Sequence, residues 1–454
     1  MTPPRNVVIF CKVIDNFGDI GVCLRLALGL TDQGCPVTLV TDRPDLAERM
    51  DPAAGVKLVS WDTVATNPHS ASLSEDMLVV EAFQVTPPLL FLQACPPKLH
   101  RVCLDYLATE SWAEGLQGMS APDPAFPAHF RIWLAPCFSA SGPGLIRGRW
   151  EEIDTETRAI MRGRLIAYGS DRGAPYQERH AGAQMLPGGA NANEQDTSRV
   201  FLVLAFGYDD APWEALAQVM ERKALPEVGL PVGGLPWEGL PEDGLPEGFD
   251  RVCLVRPEGL VFSQREFDAV LQSCDLNFVR GEDSFVRAHF AAAGRWRVPF
   301  VWQPYRQAAG AHLDKLAAWQ QRLIHAQELQ SGPAPKAFPS LDADVAVLTE
   351  VWQSWFGLQG FFNPLPDCLS PSAPPASLVA PPSSVAPFPL SPPEDLESLK
   401  HLSISWQHLQ QNWDLFRGFF SSACHRLIPD RSLEQTLVNL GEAWPQGETK
   451  PTNV

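Results

Sequence analysis

Val7-Val8-Ile9-Phe10-Cys11-Lys12-Val13-Ile14-Asp15-Asn16-Phe17-Gly18-Asp19-Ile20-Gly21-Val22-Cys23 passes from an unbroken apolar run, through a short polar turn, into a helix-like pattern. A strand that is apolar at every position is buried on both faces, and such strands belong to parallel sheets with helices on either side. Working outward, further apolar runs occur at Val37 to Thr41, Met77 to Val80, Arg101 to Leu104 and Arg131 to Leu134, with helix-like stretches such as Ile20 to Leu30 between them. That alternation predicts βαβ units. A second series begins at Val200 to Phe206 and continues through Arg251 to Val255, Leu276 to Val279 and Pro299 to Trp302. Two such halves predict an α/β chain of two Rossmann-like domains facing a cleft.

The chain has 454 residues, 45% of them hydrophobic, so it can bury real cores and needs no disulfide framework. Its formal charge of −18 argues against a nucleic-acid partner, because phosphate contacts require a basic face. No segment reaches the roughly 20 apolar residues of a membrane span, and no apolar leader precedes Val7, so a soluble cytoplasmic protein is expected. The ten cysteines include no CxxC pair, and most lie in apolar runs such as Val102-Cys103-Leu104, where a reduced thiol packs as a small hydrophobe.

Proline supplies the domain punctuation. Between Leu225 and Gly248 the pentad Leu-Pro-x-x-Gly recurs, and eleven prolines fall between Pro364 and Pro393. A pentad cannot bury a core, so both are expected to be surface loops or extended linkers. The resulting division is 1–170 for the first Rossmann-like domain, 171–198 for a polar linker or insertion, and 199–360 for the second domain with an insertion at 225–248. It continues with 361–398 for a Pro-rich linker and 399–446 for C-terminal helices. In that last stretch Trp406, Leu409, Trp413, Phe416 and Phe420 recur at helical spacing, predicting a helix packed back on the N-terminal domain.

Two loops can carry chemistry. Asp15-Asn16-Phe17-Gly18-Asp19 follows the first strand at the edge where doubly wound sheets bind ligands, yet it is no GxGxxG turn. Its two carboxylates can hold a cation or accept a proton, or Asp19 can simply cap the helix while Asp15 shapes the turn. In the second half, Asn277-Phe278-Val279-Arg280-Gly281-Glu282-Asp283-Ser284 runs from a strand through a glycine turn into a helix start, the outline of an anion site. There Arg280 can offer a planar fork, Ser284 a hydroxyl, and Glu282 an acceptor for sugar hydroxyls, although a capped helix with a surface ion pair has the same spacing. Phe206, Tyr208, Phe262, Phe267 and Tyr305 fall near strand ends and can sandwich a flat base or serve as core. No HxH, HExxH, Walker A or GxSxG pattern is present, so no metal is expected.

The stretch from Phe10 to Cys23, together with Asn277 to Phe285, closely resembles the EarP family, the protein-arginine rhamnosyltransferases of bacterial elongation factor P. Glu81-Ala82-Phe83, Tyr106-Leu107 with Glu110 and Trp112, Gly142 to Arg147, Phe206-Gly207-Tyr208, Val301-Trp302-Gln303 with Tyr305, and His312-Leu313 with Lys315-Leu316 match as well. The resemblance covers Phe10 to about Leu323 in blocks. It implies a GT-B fold, an inverting mechanism without metal or other cofactor, dTDP-β-L-rhamnose as donor and an arginine of elongation factor P as acceptor. It assigns the acceptor side to the N-terminal domain and the nucleotide to the second. Asp19 is then the general base, supported by Asp15, with Glu282 as a further catalytic carboxylate. The donor is assigned Asn16, Phe17, Gly18, Phe206, Tyr208, Gln264, Phe267, Arg280, Glu282, Asp283, Ser284 and Tyr305. The pentad array, the Pro364 to Pro393 segment and the residues around Arg295-Trp296-Arg297 exceed the family's usual length. The alternatives are a GT-B-like protein that binds a nucleotide sugar without turnover, and a glycosyltransferase acting on another glycan or a lipid.

Overall fold

A computed structural model describes residues 5–14, 17–51, 55–170, 197–208, 211–221, 245–257, 262–306, 310–328, 345–363 and 396–440. The segments expected at 171–198, 225–248 and 361–398 therefore lie almost entirely outside the described residues. The chain divides into two compact units: Met1–Glu151 with Ser263–Arg265 and Leu427–Val454, and Glu152–Phe262 with Glu266–Arg426.

In the first unit the leading strand β1 (Asn6–Cys11) is buried from Val7 to Cys11, as that unbroken apolar run requires. Val7, Ile9 and Cys11 face one core, shared with Ile20, Leu24 and Leu28 of helix α1 (Gly18–Asp32). Val8 and Phe10 face another, shared with Val64 of α3 (Trp61–Thr66) and Phe91 of α4 (Leu89–Ala94). β2 (Val37–Thr41), preceding α2 (Pro44–Met50), lies on one side of β1, and β4 (Met77–Ala82) on the other. With β3 (Val56–Ser60), β5 (Leu99–Leu104), β6 (Ser120–Pro122) and β7 (His129–Leu134), the seven-stranded order is β3-β2-β1-β4-β5-β7-β6, antiparallel only at β6.

The inner strands carry one polar cluster. Glu81 of β4 accepts from Arg101 of β5 and, at 2.9 Å, from Arg131 of β7, while Arg101 also pairs with Asp123 at 2.6 Å. Glu81 and Arg101 are fully buried, which is tolerable only because each is ion-paired and hydrogen-bonded.

The second unit begins with α5 (Thr155–Ser170), which the division at residue 170 had counted with the first domain. Its Arg162 explains the difference: the guanidinium is buried against Asp275 at 2.9 Å, Ser273 O at 2.8 Å and Val200 O at 2.6 Å, all in the second unit. A four-stranded parallel sheet has the order β9-β8-β10-β11, from β8 (Val200–Ala205), β9 (Arg251–Val255), β10 (Leu276–Arg280) and β11 (Phe300–Gln303). The helices are α6 (Trp213–Glu221), α7 (Gln264–Ser273), α8 (Asp283–Ala293), α9 (Ala311–Glu328) and α10 (Val345–Phe361). Aromatic rings fill this core. Phe285 stacks on Trp302 with centroids 3.7 Å apart, and the buried His289 accepts from the Trp319 indole N–H at 2.8 Å. Burial pushes the His289 imidazole down to about 3, so it is neutral.

The C-terminal helical stripe is not one helix. It breaks at Asn412 into α11 (Leu396–Gln411) and α12 (Trp413–Leu427), which stay in the second unit because Trp406 and Trp413 both meet Phe201 edge-on, and Phe420 meets Phe300. Only α13 (Leu433–Asn439) returns to the first unit, where Leu433 and Leu437 join the α1 core. Two Rossmann-like parallel-sheet units in one chain are the make-up of a GT-B protein. Among the described residues no cysteine pair forms a disulfide, and no helix is long and apolar enough to cross a membrane.

Candidate active site

In the first unit the strand order reverses at β1, between β2 and β4. The loops leaving the carboxyl ends of such neighbouring strands form the ligand edge of a doubly wound sheet. Asp15 and Asn16 lie outside the described residues. Phe17 is exposed at the N-cap of α1, and Gly18 and Asp19 open the helix. Asp19 is only 3% exposed. Its Oδ2 accepts the Ile14 backbone N–H at 2.8 Å and its Oδ1 the Tyr106 hydroxyl at 3.3 Å. Asp19 is thus bonded back to the β1 loop and across to the end of β5, and the N-cap position belongs to Phe17. One turn further along α1, burial pushes the Cys23 thiol well up, leaving a neutral sulfur near the carboxylate.

Tyr106 comes two residues after β5, anchored by its own N–H to Asp105 Oδ1 at 2.9 Å, while Asp105 Oδ2 accepts the Trp133 indole at 2.9 Å. Its ring stacks on Phe83, centroids 4.3 Å apart and planes 15° from parallel. Phe83 and Gln84, which end β4, both take left-handed φ angles, 55° and 63°. Two consecutive non-glycine residues in that region carry backbone strain, a feature that concentrates at functional edges. The result is a buried carboxylate beside a partly exposed tyrosine, 39% accessible, on a rigid sheet edge.

In the second unit the order reverses at β8, between β9 and β10. Phe206, Gly207 and Tyr208 leave β8, and Arg280, Gly281 and Glu282 leave β10. The Arg280 guanidinium carbon lies 5.1 Å from the Phe206 ring centroid and 5.3 Å from that of Tyr208, and Nη1 donates to Gly207 O at 3.3 Å. Phe267 meets Phe206 edge-on at 5.1 Å, and Phe262 lies 6.1 Å from Phe267. A side chain at Gly207 would overlap Gln303 Oε1 and the Trp213 ring, so only glycine allows the loop this close to β11. Gln303 accepts the Tyr208 N–H at 3.2 Å and donates to Phe362 O at 2.9 Å, tying the loop to the core.

α8 starts at Asp283 with Glu282 as an N-cap that makes no side-chain capping bond, and Gly281 turns the chain at φ 65°. Glu282 is ion-paired with Lys315 of α9, and Asp283 lies 3.9 Å from Arg287 one turn on. The Ser284 hydroxyl donates back to Arg280 O.

The predicted residues therefore fall into two separate groups. Asp19 stands in the first unit, and Phe206, Tyr208, Phe267, Arg280, Glu282, Asp283 and Ser284 gather in the second. Tyr305, 56% exposed, follows β11, next to β10 in the sheet. Gln264 opens α7 but is counted with the first unit: it is buried, with Nε2 donating to Gly21 O at 2.8 Å. Tyr106, Phe83, Gln303 and Lys315 stood in the matched blocks of sequence without a role. An aromatic residue just beyond a strand next to the reversal was the available signal for Tyr106. Lys315 gave none, since only the fold brings it to Glu282. Among the described residues no group of three His, Cys, Asp or Glu side chains is placed to hold a metal ion.

The family described as "Elongation-Factor P (EF-P) rhamnosyltransferase EarP" matches residues 7–359. A protein-arginine rhamnosyltransferase of Pseudomonas putida is 29% identical over 377 residues, spanning 76% of this chain and 85% of the relative. Another, from Neisseria meningitidis serogroup B, is 32% identical over 345 residues, spanning 70% and 78%. A solved structure described as "Structural basis for EarP-mediated arginine glycosylation of translation elongation factor EF-P" is similar at 19% identity and a TM-score of 0.43, over 96% of this chain and 99% of that one. With the family match covering both sheets and both reversal points, the chain belongs to the EarP family of EF-P rhamnosyltransferases.

Proposed function

We propose that the chain transfers L-rhamnose from dTDP-β-L-rhamnose to an arginine side chain of elongation factor P, with inversion to an α-linked product and with Asp19 as general base. The observation that carries this reading is the Asp19 carboxylate: buried at the ligand edge of the first sheet and oriented by the Ile14 N–H and the Tyr106 hydroxyl. Family membership supplies the reaction class.

A guanidinium is far too weak an acid for an aspartate to deprotonate it in the ground state. Asp19 instead orients the guanidinium nitrogen and takes its proton as the C–N bond forms, when the nitrogen's acidity rises. The C–O bond to the diphosphate breaks as the new bond forms on the opposite face, which inverts the anomeric centre. Negative charge then builds on the departing dTDP. Arg280 and the start of α8 can meet that charge with fixed dipoles and a permanent cation, with no metal required for it. Phe206, Tyr208, Phe267 and Tyr305 offer faces and edges for the thymine ring. In this reading the enzyme works in the cytoplasm, where the elongation factor is found, Asp15 supports Asp19, and Asn16 is a donor residue.

Mass spectrometry of elongation factor P after incubation with the purified protein and dTDP-β-L-rhamnose is the test. One added deoxyhexose on an arginine is expected. Donor binding by calorimetry with no mass shift would instead identify a nucleotide-sugar-binding protein without turnover.

A further inference from the structure

Glu282 and Asp283 put two carboxylates at the start of α8, where the proposed diphosphate is met. Carboxylates suit a helix N-terminus by themselves, but they oppose an incoming anion. The structure pairs each of them. Glu282 is joined to Lys315 Nζ from α9, with the two side chains only 20% and 17% exposed, and Asp283 faces Arg287.

We propose that Lys315 is a positioning residue of the donor site: by neutralising and holding Glu282, it allows the start of α8 to accept the diphosphate of a nucleotide sugar. The proposal rests on the donor assignment above and adds a residue to which that assignment gives no role. Lysine suits the task, being a compact charge that reaches Glu282 from a neighbouring helix. Without it, Glu282 loses its ion-pair partner from α9 and presents more negative charge at the start of α8, where the diphosphate is proposed to be met. At an effective dielectric constant of about 20 such a charge weakens anion binding by roughly tenfold or more.

The test is calorimetric titration of dTDP into wild-type protein, K315M, K315R, E282Q and the double variant E282Q/K315M, each checked for folding by circular dichroism. Expected results are binding by the wild type, at least tenfold weaker binding by K315M, recovery in K315R, and affinities of E282Q and the double variant within about threefold of each other. The last comparison is decisive, because removing the lysine matters only while Glu282 is charged; it also decides if K315M alone does not fold. K315M binding dTDP like the wild type overturns the proposal. So does a double variant as weak as K315M, since the lysine would then act on the ligand or the fold directly. Failure of the wild type to bind dTDP is a different result, and it removes the donor assignment itself.

Discussion

The two strand-order reversals have the same topology and opposite chemistry. Behind β1 and β4 a buried carboxylate is fixed by a backbone N–H and a tyrosine hydroxyl. Behind β8 and β10 an arginine lies against two aromatic rings at the start of a helix. A parallel sheet provides the same crevice in both cases, and the residues that follow the strands decide whether it suits a cationic guanidinium or an anionic diphosphate. The first edge also carries strained backbone at Phe83 and Gln84, whereas the second obtains its tight turns from Gly207 and Gly281.

Each half of that comparison can be broken separately. Asp19→Asn keeps the size and removes the proposed base, so kcat should fall by about 10³ with donor affinity unchanged, measured by rhamnosylation rate and dTDP titration. An equal loss of dTDP affinity would end the separation of roles. Arg280→Ala should act on the other half, weakening dTDP by about 10² while leaving the acceptor's affinity intact in a pull-down. Tyr106→Phe keeps the stack on Phe83 and removes the hydrogen bond to Asp19; kcat should drop about tenfold at constant donor KM. The last effect is on stability and leaves the chemistry aside. His289 is neutral in the fold, with its imidazole pushed down to about 3, whereas the unfolded chain takes up that proton below about 6.5. The stability it secures is complete above that value and lost as the pH falls toward 3, about 3 kcal/mol by pH 4.5. Thermal unfolding between pH 7 and 4.5 checks this, and His289→Gln should flatten the curve.

The central strands were legible in sequence because burial on both faces leaves no polar interruption, as at Val7 to Cys11 and Val200 to Ala205. Edge strands were not. β3 exposes Lys57 and leaves three residues half-buried, and all three residues of β6 are exposed, so neither shows a continuous run. The boundary after the first domain shifted because Arg162 binds partners more than thirty residues away, beyond any local signal. The C-terminal stripe read as one helix because its spacing survives the break at Asn412. At the site, Asp19 and Arg280 could be singled out by their place after a strand. Tyr106 meets Asp19 across 87 positions and Lys315 meets Glu282 across 33, and such pairings exist only once the sheets are assembled.

The buried cluster of Glu81, Arg101, Arg131 and Asp123 also works as an alignment key. Side chains alternate faces along a strand, so sliding β5 by a single residue against β4 and β7 would turn Arg101 to the opposite face and take one buried cation away from both Glu81 and Asp123. The slipped arrangement is therefore rejected electrostatically as well as by packing. Because Tyr106 is carried two residues beyond the end of β5, the same key determines how far its hydroxyl reaches toward Asp19. The placement of the Asp19 carboxylate is in this sense settled during strand assembly, well inside the sheet.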